Sequence, residues 1–187
     1  MAKFPSLTFT EQGLQMLVQA QNSHKLTITS GKLGSGVLAD SDDISKFTDL
    51  KAPKMTLPIT KVDASNPEKI VLTFDTSNTA LEQGFVSREI GIFAKLDDGA
   101  ETLYAYSNAG NNYDYIPSKD TPTDENRLVV NLVVSSSANI EVTIDKSIVY
   151  AHMSDVEEMI NQRLRVAPTT SAPTDMVDGG IWIEILD

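Results

Sequence analysis

A chain of 187 residues with 41% hydrophobic side chains suits one medium domain plus a short appendage, and it can bury a core at that size. Its 15 basic and 26 acidic residues give a formal net charge of −11, a surface that repels nucleic-acid phosphates and anionic lipid head groups, so neither is an expected partner. The absence of cysteine excludes disulfides, thiolate nucleophiles and cysteine-bound zinc, and no apolar run approaches the roughly 18–20 residues of a membrane-spanning helix.

The start, Met1-Ala2-Lys3-Phe4-Pro5-Ser6, lacks the apolar region of a secretory signal, so synthesis and assembly are expected in a cytoplasm. Thr10 is a natural N-cap, and Glu11 behind it suits the positive end of a helix dipole. Leu14, Leu17 and Val18 then fall on one helical face, and the helix is expected to fade near Asn22-Ser23-His24. Leu26-Thr27-Ile28-Thr29 reads as a strand. The three glycines between Gly31 and Gly36 predict a turn or a close approach to other backbone. Ser41 to Phe47 offers a short, acid-started helix with Ile44 and Phe47 inward. Strands follow at 54–62, interrupted by Pro58, and at 69–75.

The middle of the chain carries the most information. Gly84-Phe85-Val86-Ser87-Arg88-Glu89-Ile90-Gly91-Ile92-Phe93-Ala94 reads as one long strand. Asp97-Asp98-Gly99 is a tight-turn signal, and Thr102 to Asn108 returns as the hairpin partner. Tyr104 and Tyr106 then share a strand face. Arg88 and Glu89 point to opposite faces, so each needs a partner elsewhere. Fold-locking polar contacts are the expectation and an intersubunit ion pair the alternative, because an unpaired buried charge is costly. Gly84 and Gly91 mark a bulge or a close backbone approach. After the loop 109–114 and Tyr115-Ile116-Pro117, two more strands, 126–135 and 139–149, read as a pair joined by Ser135 to Ala138.

Composition changes after Tyr150. Met153, Val156, Ile160 and Leu164 recur at helical spacing over three turns, with acidic residues first and arginines last, as a helix dipole favours. This is either a helix docked on the sheet or a stub of trimeric coiled coil. A Pro/Thr-rich linker leads to Ile181-Trp182-Ile183, a segment expected to add to a sheet edge of its own domain or of a neighbour. The expected organisation is therefore a β-domain over 1–150, a short helix over 151–166, and a linker with terminal strand over 167–187. The fold class is mainly β (α+β): an antiparallel sandwich-like domain with an N-terminal helix, a short C-terminal helix and an extended tail.

Signs of catalysis are lacking. His24 and His152 stand far apart without supporting motifs, and no metalloprotease, nucleophile-elbow, phosphate-loop or dinucleotide pattern occurs. Asp40, Asp42 and Asp43 lack the spacing of a calcium loop and read as a solvated acidic loop. No cofactor and no metal are expected.

Several segments together resemble the N-terminal domain of the phage tail-collar fibre family. These are Phe9 to Leu14, Leu26 to Thr29 with Gly34-Ser35-Gly36, Gly84 to Ala94, Leu103 to Asn108 with Asp114 to Pro117, and the strands 128–134 and 140–145. The resemblance covers residues 4–150, and the ordered set at family-like spacing is what carries it. It implies a non-enzymatic virion part that anchors a fibre to a tail baseplate, assembled in the host bacterial cytoplasm, in a phage or a tail-like bacteriocin. Gly84, Arg88, Glu89, Gly91, Tyr106, Asn108, Tyr115 and Pro117 form its structural motif. The expected partners are further copies in a homotrimer and other baseplate, tail-fibre or receptor-binding proteins. Met153, Val156, Ile160, Leu164, Ile181, Trp182 and Ile183 are the expected contacts. No shaft or receptor-binding tip follows the domain, which favours an adaptor. The alternative is a carbohydrate-binding module using Tyr104, Tyr106, Tyr113 and Tyr115.

Overall fold

The computed structural model describes residues 2–66, 69–133, 140–144, 164–167 and 181–184, and the chain divides into two units, Met1–Val149 and Tyr150–Asp187. Strand is the commonest regular structure of the described chain, which has a single α-helix.

The larger sheet of the first unit is built on the predicted hairpin. β1 (Thr8–Phe9), β2 (Leu26–Gly34), β3 (Pro53–Leu57), β7 (Glu89–Leu96), β8 (Thr102–Asn108) and β11 (Ile140–Val142) run in the order β1-β8-β7-β2-β11, with β3 also on β2. Asp97, at φ 50°, closes the β7–β8 turn, and its backbone N–H donates to Lys25 O at 2.8 Å. A three-stranded sheet, ordered β10-β5-β4, uses β4 (Ile59–Asp63), β5 (Lys69–Ser77) and β10 (Glu125–Val133). Strand alternation sends Leu72, Phe74, Leu128, Val130 and Leu132 from this sheet against Ile28, Ile90, Ile92 and Tyr104 of the larger one, giving one core shared by two sheets. The opposite face of the larger sheet buries Phe93, Leu103 and Tyr106 under Leu38, Ile44, Phe47 and Leu50, so the short turn at Ile44–Lys46 is inward-packed as its sequence predicts.

Several expectations change. The segment 84–94 is not one strand: β6 (Phe85–Ser87) pairs with β9 (Asp114–Ile116), and the chain leaves that ribbon at Arg88 to enter the larger sheet. The strands read as a closing pair do not pair. β10 lies antiparallel on β5, whereas β11 lies parallel on β2, because β2 already has β7 on one edge and takes β3 and β11 on the other. Gly31 and Gly34 lie within β2 and, of the two expected roles, take the close approach rather than the turn: a Cβ on Gly31 would sit 2.9 Å from Phe74 Cε1, and one on Gly34 2.7 Å from Ala52 O.

Another change concerns Tyr104 and Tyr106, which do not share a face. Ile92 pairs with Ala105 and Phe93 with Leu103, leaving Tyr104 as one extra residue on β8. Such a bulge resets the alternation. Tyr104 therefore joins the inter-sheet core with Ala105, while Tyr106 enters the opposite cluster with Leu103.

Helix α1 (Glu11–Gln21) starts where predicted: Thr10 Oγ1 accepts from Gly13 N–H at 2.9 Å and donates to Leu103 O at 2.6 Å. The buried face is not the Leu14/Val18 stripe. Gly13 and Ala20 are the buried residues of the helix, and Leu14 and Val18 are 49% and 56% exposed.

In the second unit β12 (Leu164–Ala167) pairs parallel with β13 (Ile181–Glu184), Arg165 opposite Trp182. Leu164 and Arg165 thus belong to a strand, not to the end of the expected helix. Strand pairing satisfies their backbone groups between segments, where a helix would do so locally. The rest of that helix, with Met153, Val156 and Ile160, lies outside the described residues.

Candidate partner-docking site

Four of the eight predicted motif residues, Glu89, Gly91, Tyr106 and Asn108, gather around one buried carboxylate. Glu89 is fully buried at the start of β7. Its Oε2 accepts from Gly36 N–H at 2.6 Å and Ala52 N–H at 3.0 Å; its Oε1 accepts from Lys51 N–H and from the Tyr106 hydroxyl, each at 2.9 Å. The charge is compensated by four donors rather than by a cation, an arrangement that ties the segments around Gly36 and Lys51 to the sheet. Asn108 Nδ2 extends the network to the Tyr106 Oη at 3.0 Å and Gly36 O at 3.1 Å. The glycines are steric requirements: a Cβ on Gly34 or on Gly36 would stand 2.5 Å from Glu89 Oε2, and one on Gly91 2.5 Å from a Leu50 methyl.

Arg88 leaves the sheet on the other side. Its Nε donates to Gly110 O at 3.0 Å, and its guanidinium lies 4.4 Å from the Tyr113 ring centroid. The required partner is a carbonyl and an aromatic face rather than a carboxylate. Gly84 lies under Tyr115, whose hydroxyl would be 2.2 Å from an added Cβ, and Pro117 follows the end of β9. These contacts fix the β6–β9 ribbon. The network around Glu89 gathers Gly91, Tyr106 and Asn108, while Gly84, Arg88, Tyr115 and Pro117 lie at or beside the ribbon.

The carbohydrate alternative loses half of its patch, since Tyr104 and Tyr106 are fully buried. Burial raises the pKa of both phenols above the ordinary tyrosine range, and for Tyr106 the neighbouring Glu89 carboxylate adds to the rise. A phenol whose pKa is raised by folding supports the native state below the free-phenol pKa of 10.0 and loses that support as pH rises past it. Denaturant stability is therefore expected to fall above about pH 10. In an absorbance titration, two of the five tyrosines should give phenolate only as the circular-dichroism signal of the fold is lost. Full phenolate absorbance with native dichroism intact would contradict this burial.

With the polar motif occupied internally, the open surface of the first unit lies along its sheet edges. Lys3 N–H donates to Asn112 O, the Ser107 hydroxyl donates to Pro5 O at 2.9 Å, and Thr8 and Phe9 pair with Tyr106 and Ala105. Residues 3–9 are thereby laid along the outer edge of the larger sheet. Opposite them runs β10, nine residues long and continuous in register with β5; its other edge has no strand partner among the described residues. A groove of about 450 Å³ opens between the two, walled by Phe4, Leu7, Phe9, Ile90, Leu128 and Val130, and none of its lining residues is charged. Val129, on the outward side of β10, is 58% exposed. A strand edge with no strand partner among the described residues, beside the half-buried Phe4, Leu7 and Phe9, is the condition under which an edge accepts another strand. Sequence reading missed this groove because it predicted β10 to pair with the strand after it.

No group of three or more histidine, cysteine or acidic side chains able to hold a metal occurs among the described residues, and none of the described helices is long and apolar enough to cross a membrane. In comparison with known proteins, the profile of the family described as phage tail-collar fibre protein, N-terminal, matches residues 1–154. No curated protein and no solved structure gives a significant match.

Proposed function

The chain belongs to the phage tail-collar fibre family, and on that premise we propose that it is a non-enzymatic subunit of a phage tail, or of a phage-tail-like particle, that anchors or adapts a fibre or receptor-binding protein to the baseplate. The family supplies the tail-fibre role and the place in the virion. The uncharged groove along β10 carries the finer reading. It presents a row of backbone donors and acceptors next to an apolar trough, so its occupant is an extended, uncharged segment of a neighbouring tail protein with apolar residues at alternate positions. Inward side chains of such a strand lie against the half-buried Phe4, Leu7 and Phe9. The C-terminal Ile181, Trp182 and Ile183, with Met153, Val156, Ile160 and Leu164, are assigned to further subunit contacts. A pair of four-residue strands gains most of its stability from what packs on it.

Val129→Lys tests the groove. An edge lysine costs a folded strand little, because its stem lies over the sheet and its head reaches water, but it opposes addition of another strand. The expected result is a chain with unchanged thermal unfolding that enters particles at less than a tenth of the wild-type level, with loss of adsorption to host cells. Normal incorporation and adsorption would exclude the groove as the attachment point. Particles that assemble with full fibres and adsorb in the complete absence of the chain would exclude the anchoring function itself.

A further inference from the structure

We propose that the outward face of α1 is the surface through which copies of this chain associate, a reading that rests on the homotrimer expected from the sequence and gives it a contact surface. Leu14 and Val18 stand one helical turn apart and are 49% and 56% exposed, on a helix that meets the sheet through Gly13 and Ala20 instead. The face is also uncharged. From Gln12 to Ser23 there is no acidic or basic residue, in a chain with 15 basic and 26 acidic residues among 187. The exposed polar neighbours of Leu14 and Val18 are Gln15 and Gln19.

Charge decides which occupant this face suits. Two copies each carrying −11 repel over most of their surfaces, and the repulsion is least where neither presents charge. A charged partner of either sign finds no complementary charge on this face of the helix. A second copy gains most, because the face is its own complement: leucine and valine cover the same residues of the neighbour, and each glutamine amide both donates and accepts. Charged groups sit at the two ends of the helix. Glu11 lies near the Ser45 hydroxyl at one end; Lys25 pairs with Glu141 at 2.8 Å and His24 with Asp97 at 2.7 Å at the other. An apolar centre with charges held to its rim is the usual anatomy of a subunit contact.

The test is sedimentation velocity on the full chain over a range of concentration and salt. Wild type is expected to associate. Gln15→Glu/Gln19→Glu should remain monomeric at a concentration about tenfold above the wild-type midpoint and recover part of its association in high salt. Gln15→Lys/Gln19→Lys mixed with the glutamate variant should associate more tightly than either alone. Leu14→Gln/Val18→Gln should dissociate the chain without salt recovery, and circular dichroism should show the fold intact in all variants. A wild-type oligomer unaffected by these substitutions would overturn the assignment to α1 and leave the self-association reading standing. A wild-type monomer at every concentration would overturn both.

Discussion

Glu89→Ala should lower stability by about 4 kcal/mol, the scale expected when one partner of a buried charged network is removed and its donors are left unpaired. For a chain of 187 residues this corresponds to a fall in Tm on the order of 10 °C. The loss has three parts. The Gly36, Lys51 and Ala52 N–H groups lose their acceptor, the Tyr106 hydroxyl loses its own, and a buried cavity the size of a carboxymethyl group opens. Glu89→Gln separates chemistry from volume. It keeps the shape but replaces one acceptor oxygen by an NH2 group, and each oxygen of the native carboxylate faces two donors. Whichever way the amide turns, it meets a backbone N–H head-on, so this isosteric change should still cost about 2–3 kcal/mol. Equilibrium unfolding in urea measures both. A glutamine variant as stable as wild type would show that the carboxylate charge is not needed to hold the segments at Gly36 and Lys51.

Local chemistry made much of this fold legible. Thr10 caps α1 because its hydroxyl meets Gly13 N–H within a single turn, and Asp97-Asp98-Gly99 turns the hairpin through residues adjacent in sequence. The need for partners at Arg88 and Glu89 followed from the alternation of strand side chains. What those partners are did not follow, because Gly36, Lys51, Ala52 and Gly110 are brought to the motif by the fold. The misreadings share this non-local origin. One extra residue at Tyr104 reverses the side of every residue after it on β8, and only the register with β7 reveals it. The pairing of β10 with β5 rather than with its successor is likewise a property of the sheet, not of either strand's composition. Leu14, Leu17 and Val18 share one helical face, but which face of α1 meets the sheet is set by the fold, and that contact is made through Gly13, Met16 and Ala20.

That contact gives the second large effect. Gly13→Ala should destabilise the domain by about 3 kcal/mol, the upper range for forcing extra atoms into a packed site. Helix propensity alone predicts the opposite sign, a gain of up to ~1 kcal/mol when an interior glycine becomes alanine. Geometry settles the competition, since an added methyl would stand 2.0 Å from Tyr104 O and 2.9 Å from Tyr104 C, both backbone atoms that cannot swing aside. The same carbonyl accepts from Thr10 N–H at 3.1 Å, and the neighbouring Leu103 O accepts from the Thr10 hydroxyl. Relief of the clash by lifting the helix therefore loosens its cap as well. Leu103 O and Tyr104 O meet Thr10 at the extra residue of the bulge, so helix and bulge are one device: α1 brings the one residue type that can lie against the β8 backbone there. The prediction is checked by urea unfolding of Gly13→Ala beside Gln12→Ala on the exposed side of the same turn, where the propensity gain should appear unopposed. Equal stabilisation of the two variants would mean that α1 does not rest on β8 through Gly13.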